Sequence, residues 1–226
     1  MANIYVVSTP IGNLKDITYR AVETLKNSEL IICEDTRVSG NLLKHYDIKS
    51  KLTSLNEFNE DIKSREIIEE LNNLSEVSII SDAGTPLLSD PGYKFISRAS
   101  ALGHRIIPIP GASAVLSALV ASGLPTNSFV YLGFLPKSSV KQTNILEQYK
   151  NQNQTIIIFE SPHRVEKTLQ TILQTFGNII VSTGRELTKK FEEVNNFPIE
   201  KHLEYMKTKK PKGEFTLVFN PSVKSN

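Results

Sequence analysis

Short apolar runs bounded by polar turns recur through the first half of the chain, and between them apolar residues fall at helical spacing. Asn3-Ile4-Tyr5-Val6-Val7, Leu30-Ile31-Ile32-Cys33, the weaker Leu52-Thr53-Ser54-Leu55, Val77-Ser78-Ile79-Ile80 and the run from His104 to Pro110 read as five strands. Ile17, Ala21, Val22 and Leu25 predict a helix capped by Asp16. The segment 56–73 reads as a polar turn followed by an amphipathic helix through Ile62, Ile67, Ile68 and Leu71, and Phe95, Ile96 and Ala99 mark another. Strands alternating with helices imply a parallel sheet covered on both faces. A further apolar helix through Val115, Leu116, Leu119 and Val120 opens at Pro110-Gly111-Ala112-Ser113-Ala114.

Gly123-Leu124-Pro125-Thr126-Asn127 breaks this pattern and marks a boundary between domains 1–124 and 125–226. Beyond it, Phe129 to Phe134, Gln154 to Phe159, Ile179-Ile180-Val181 and Phe215 to Phe219 give at least four strands. Helices are predicted over Gln142 to Tyr149 and through Val165, Leu169, Ile172, Leu173 and Phe176. A second α/β layer with its own core follows, and only the residues from about Ser222 look like a tail.

Composition removes several classes. With 39% hydrophobic and 22% charged residues the chain has the balance of a soluble globular protein. It enters an apolar strand at once, with no signal-like stretch and no run approaching ~18 apolar residues, so a cytoplasmic protein without a membrane span is expected. The lone Cys33 sits in an apolar run and reads as a small core residue. Four scattered histidines show no metal-ligand spacing, so no metal is expected. The net charge of +2 is small but uneven: residues 1–124 carry 12 Lys/Arg against 15 Asp/Glu, and 125–226 carry 14 against 9. The second half is therefore the side suited to a polyanion, with Lys207, Lys209, Lys210 and Lys212 either part of that surface or a solvated loop.

The chemistry-bearing residues cluster where strands end. Ser81-Asp82-Ala83-Gly84-Thr85-Pro86, continuing to Asp90-Pro91-Gly92, follows an apolar strand, and Gly84, Pro86 and Pro91 restrict it to one shape. Open α/β sheets keep their ligands at such carboxyl ends. Glu34-Asp35-Thr36-Arg37 could bind substrate or could be a helix cap with an arginine ion pair. The Ser113 helix start could take up polar ligand groups or be a plain cap. Glu160-Ser161-Pro162-His163-Arg164 and Arg185-Glu186-Leu187-Thr188-Lys189 lie at strand ends of the second half. No GxxxxGK[ST], no GxGxxG after the first strand and no GxSxG occurs, which leaves P-loop, standard dinucleotide and nucleophile-elbow hydrolase readings unsupported.

These blocks, with Thr9-Pro10-Ile11-Gly12-Asn13-Leu14 and Gly133-Phe134-Leu135-Pro136, resemble in content and order the ribosomal-RNA-modifying branch of the tetrapyrrole methylase superfamily, over about residues 3–219. The resemblance implies a two-domain α/β fold of largely parallel or mixed sheets flanked by helices, with the active site in the interdomain cleft. It also implies S-adenosylmethionine as methyl donor, the ribose 2′-hydroxyl of a cytidine in 16S ribosomal RNA (naked or in the 30S subunit) as acceptor, and a homodimer. Pro10, Ile11, Asp82, Thr85, Ser113, Ala114 and Glu160 match cofactor-contacting segments of that superfamily. Asp35, Glu186 and Lys189 are the candidates to remove the hydroxyl proton, as carboxylates or a depressed lysine. Arg37, Arg164 and Arg185 are the candidates to contact or orient the RNA.

Two departures qualify the resemblance. Asn56 and Phe58 stand where members commonly carry histidines, and the small helical extension that follows the last strand in many members has no counterpart in these 226 residues. Two other readings compete: methylation of a small tetrapyrrole-like molecule, against which Arg37, Arg185, Lys189 and Lys190 argue, and a non-catalytic RNA-binding assembly protein.

Overall fold

Alternation along each strand builds the first sheet. In the computed structural model, which describes residues 1–224, the strands β1 (Asn3–Val7), β2 (Leu30–Cys33), β3 (Lys51–Ser54), β4 (Glu76–Ile79) and β5 (Arg105–Ile109) pair in the order β3-β2-β4-β1-β5. Every neighbouring pair is parallel. Leu30 and Ile32 pack into one apolar cluster with Ile4, Val77 and Ile79, while Ile31 and Cys33 pack into another with Val7, Ile80 and Ile109. Successive strand residues point to opposite faces, so a sheet buried on both sides needs apolar residues without interruption, which is what β2 carries.

The helices divide accordingly. Ala21 and Leu25 of α1 (Tyr19–Asn27) and Leu43 of α2 (Thr36–His45) cover one face. Ile67 of α3 (Glu60–Glu70) and Phe95 and Ala99 of α4 (Tyr93–Ala101) cover the other. The chain therefore leaves the adjacent strands β1 and β4 towards opposite faces, and a crevice opens at their carboxyl ends. One local expectation is corrected: Asp16 ends a short 3₁₀ turn, and α1 is capped by Thr18, whose hydroxyl accepts from the Ala21 N–H at 3.1 Å.

The residues form two compact units, Met1–Ser113 and Ala114–Asn226. The helix α5 (Ala114–Ala121) packs against strands of the second unit and belongs with it in this division, whereas the sequence pattern breaks at residue 124. The second sheet contains β6 (Phe129–Phe134), β7 (Thr155–Glu160), β8 (Ile179–Arg185), β9 (Glu193–Pro198) and β10 (Phe215–Lys224), in the order β6-β7-β10-β8-β9. Only β6 and β7 run parallel, and β10 lies antiparallel between β7 and β8. α6 (Ser139–Glu147), α7 (Val165–Phe176) and α8 (Ile199–Thr208) complete the unit. Leu146, Leu169, Ile172, Ile199 and Met206 from these helices bury against Ile156, Ile158, Val181, Leu217 and Phe219.

Three features of this unit go beyond the periodicity. β8 runs on to Arg185, β9 and α8 are present, and the residues read as a tail from Ser222 continue β10 to Lys224, with residues 225–226 outside the described chain. Lys207, taken with a loop, lies in α8. No helix is long and apolar enough to cross a membrane among the described residues.

Candidate active site

The loops after β1, β4 and β5 are tied into one edge of the first unit. Thr9 and Gly84 exchange backbone hydrogen bonds, N–H to O at 2.8 and 3.1 Å. The Thr85 hydroxyl donates to the Ala112 carbonyl at 3.2 Å and lies 3.0 Å from the Ser8 hydroxyl. Thr9 Oγ1 donates to the Ser81 carbonyl at 3.2 Å. Gly84 has φ +83°, and a Cβ there would stand 3.2 Å from Ile11 Cγ2; one on Gly111 would stand 3.0 Å from Ser8 Cβ. The left-handed backbone at Gly84 favours glycine, and at Gly111 any side chain would crowd Ser8, so both positions let the three turns close on one another. Leu87 and Ser89, with φ of 73° and 68°, hold left-handed backbone without being glycine, a cost that ordered ligand loops sustain.

Pro10, Ile11, Asp82, Thr85 and Ser113 thus stand on turns joined by hydrogen bonds. Asp35 joins them through its own N–H, which donates to Asp82 Oδ1 at 3.2 Å. Its side chain caps α2 by accepting the Arg37 N–H at 2.8 Å and takes the Arg37 guanidinium on both oxygens, Nη2 to Oδ2 at 2.6 Å. That guanidinium, followed by the backbone bond, holds the Asp35 carboxyl down at about 2. The Arg37 side chain is 89% exposed. Cap and charged site coexist here.

Three neighbouring carboxylates behave oppositely. Burial pushes Asp90 up to about 6 against the pull of the Ser81 hydroxyl, and burial raises Asp82 and Glu34, the latter helped by the nearby Asp82 and Asp90 charges. Glu34, Ser81 and Asp90 line a small cavity with Cys33 and Leu55. Glu34 and Asp90 stand in the sequence motifs without an assigned role. The signal for Glu34 is its placement directly after the apolar strand β2; Asp90 lies at the far end of the loop between β4 and α4, where its partial burial is set by the tertiary structure.

The remaining candidates lie in the second unit, and the structure gives each a set of partners. Ala114 opens α5. Glu160, with a side chain fully buried, accepts from the Thr168 hydroxyl at 2.7 Å and from the Ser161 N–H at 2.8 Å, and has Arg164 Nε at 3.3 Å. Arg164 in turn donates to the Leu135 and Pro136 carbonyls, at 2.5 and 3.2 Å, and Gln142 donates to the latter at 2.9 Å. Glu160 and Arg164 therefore fix the Gly133-to-Pro136 turn. Lys189 is not a depressed lysine: burial works against its charge, but hydrogen bonds to Glu214 at 2.7 Å and Glu186 at 3.0 Å outweigh it and raise its pKa. Glu186 is lowered by the Glu214 N–H, 2.9 Å from its Oε1, and by Lys189. Arg185 donates to the Lys212 and Phe191 carbonyls and pairs with Glu193 at 3.1 Å.

An all-parallel sheet whose chain leaves two adjacent strands towards opposite faces, followed by a mixed sheet, defines a class, and residues 3–202 match the family model described as Tetrapyrrole (Corrin/Porphyrin) Methylases. The chain belongs to that family. Within it, the chain is 44% identical over 215 residues to "Ribosomal RNA small subunit methyltransferase I" of Halalkalibacterium halodurans, spanning 95% of this chain and 74% of that protein. It is 38% identical over 222 residues to the protein of the same name from Bacillus subtilis, spanning 98% and 76%. In fold it is similar to diphthine synthase, with TM-score 0.75 at 13% identity over 98% of this chain and 91% of that one. It is likewise similar to uroporphyrin-III-C-methyltransferase from Thermus thermophilus, with TM-score 0.65 at 18% identity over 98% and 96%.

Proposed function

We propose that the chain transfers a methyl group from S-adenosylmethionine to the ribose 2′-hydroxyl of a cytidine in 16S ribosomal RNA. The observation that carries this reading is identity of about two residues in five, across nearly the whole chain, with proteins whose shared name is ribosomal RNA small subunit methyltransferase I. That name favours RNA over a tetrapyrrole as the acceptor.

The residues of the first edge suit the donor. It is a cation with ribose hydroxyls, and the edge offers ionisable carboxylates at Asp82 and Asp35, hydroxyls at Thr85 and Ser113, the apolar side chains of Pro10 and Ile11 packed beside them, and backbone brought close by Gly84 and Gly111. When bound, the donor supplies a methyl group on a positive sulfur. Asp82 and Asp35 then provide the opposite charge, Thr85 and the Ser113-Ala114 helix start provide polar contacts, and the hydrogen-bonded turns keep these groups from rearranging.

The proton of a ribose hydroxyl becomes strongly acidic only as the oxygen–carbon bond forms, so an acceptor that is always ionised serves. Asp35, held at about 2, meets that requirement. Glu186 and Lys189 are spent on one another and on Glu214, and we assign them to positioning of the second unit's loops. Glu160 and Arg164 act through the turn they fix. Arg37, although paired with Asp35, keeps most of its side chain in water and is the residue assigned to reach a phosphate.

Mapping ribose methylation in small-subunit RNA from cells with and without the protein tests the reading. One 2′-O-methylcytidine present only with the protein is expected, and an unchanged map removes the proposal. A homodimer, implied by the resemblance, is checked by light scattering on the purified chain.

A further inference from the structure

Between β8 and β9 the chain makes a turn that displays Phe191, 64% exposed. The turn is costly to form: Glu186 and Thr188 adopt left-handed backbone, with φ of 49° and 65°. It is nevertheless held firmly. Lys189 N–H donates to the Glu186 carbonyl at 3.0 Å, Glu192 N–H to the Lys189 carbonyl at 3.1 Å, and the Glu192 carboxylate accepts from the Thr188 N–H. Arg185 joins this turn to the one before β10, donating to the Phe191 carbonyl at 3.2 Å and to the Lys212 carbonyl at 2.7 Å. Glu186 and Lys189 make the same junction through Glu214. A rigid platform that leaves a large apolar ring in water has no use in the unit's own core.

The charges around it are also unspent. Lys189 and Lys209 pair with glutamates, but Lys190, Lys210 and Lys212 are exposed or partly so and make no ion pair among the described residues. Lys190 Nζ lies over the Phe191 ring, 5.7 Å from its centre. An exposed aromatic ring flanked by unpaired cations matches the requirements of single-stranded nucleic acid, whose bases stack while its phosphates seek positive charge.

We propose that Phe191 stacks on an unpaired base of the RNA substrate while Lys190, Lys210 and Lys212 contact its phosphates. This deepens the ribosomal reading and rests on it. Arg185 is then a positioning residue that aligns the two turns and does not itself grip a phosphate.

The test titrates the full chain with a transcript of small-subunit ribosomal RNA. Phe191→Ala weakens binding about 5- to 150-fold, the affinity carried by one base–aromatic stack, and Phe191→Tyr restores it. Replacing Lys210 and Lys212 together by alanine lowers the slope of log affinity against log salt by about 0.7 for each phosphate no longer neutralised. Equal affinity of Phe191→Ala and the unaltered chain, no binding by the unaltered chain, or an unchanged salt slope overturns the proposal. Methyl transfer to the same transcript is scored separately: its absence removes the ribosomal reading, whereas transfer that persists with Phe191→Ala at unchanged affinity removes only the stacking platform.

Discussion

Gly84 shows how one residue can decide a site. Its left-handed φ and the 3.2 Å approach of Ile11 to any Cβ mean that Gly84→Ala strains the backbone and pushes apart two turns proposed to hold the donor. A loss of about 1–2 kcal/mol in urea denaturation is expected, together with weaker S-adenosylmethionine binding in calorimetry. Asp90 acts through its proton. It keeps that proton up to about 6 in the folded chain and loses it near 3.8 when unfolded, so the folded state binds the extra proton. Stability therefore falls as pH rises from about 4 to about 6. In Asp90→Asn that part of the slope should vanish, as unfolding midpoints measured across the interval will show. Asp35 runs the other way: whatever it contributes is present above 3.8 and lost as pH falls through about 2. The motif around Asp35 was legible as residue types, yet the choice between cap and binding group was not, because one carboxylate serves an N–H and a guanidinium at once.

At the scale of elements, caps and buried pairs set how firmly the site is held. Thr18→Ala removes the side-chain acceptor at the start of α1 and should cost about 1 kcal/mol, read from the thermal or urea midpoint. Arg164→Ala strips the buried Glu160 of its cation and leaves the Leu135 carbonyl without its donor, so a loss of about 2–4 kcal/mol is expected. Arg164→Lys should recover only part of it, since an ammonium lacks the planar fork that reaches carboxylate and carbonyls together. The elements that escaped the sequence are α2, read only as the alternative cap at Asp35, and β9 and α8. β9 is a polar edge strand paired only with β8, so its Glu-Val-Asn-Asn run carries no buried stripe. In α8 the buried face includes His202, whose Nε2 lies 2.8 Å from the Val181 carbonyl, and a histidine in the core position interrupts the apolar period.

For the whole molecule, the family and the sheet topology meet at the carboxyl ends of β1 and β4. If those ends hold the donor, Asp82→Ala should weaken S-adenosylmethionine binding at least tenfold in calorimetry while leaving the fold intact, because Asp82 is only partly buried and its main partner is a backbone N–H. Unchanged affinity would show that the donor sits elsewhere. The proposed stacking platform uses a different set of residues, in the turns around β8 and β10, so Phe191→Ala should spare donor binding and Asp82→Ala should spare the stacking contribution to RNA affinity.

The chain by itself determined most of its strands and helices, since burial on two faces demands uninterrupted apolar runs and burial on one demands a helical period. It also marked the turns that carry glycine, proline and carboxylates. Only the tertiary structure decided which turns meet, because Thr9 and Gly84 come together through strand order, and that order is fixed by how helices cover the two faces. It alone decided which charges are spent as well. Glu160, Arg185 and Lys189 all stand at strand ends in one dimension, and three dimensions show the ion pairs they make: Arg164 with Glu160, Glu193 with Arg185, and Glu186 and Glu214 with Lys189.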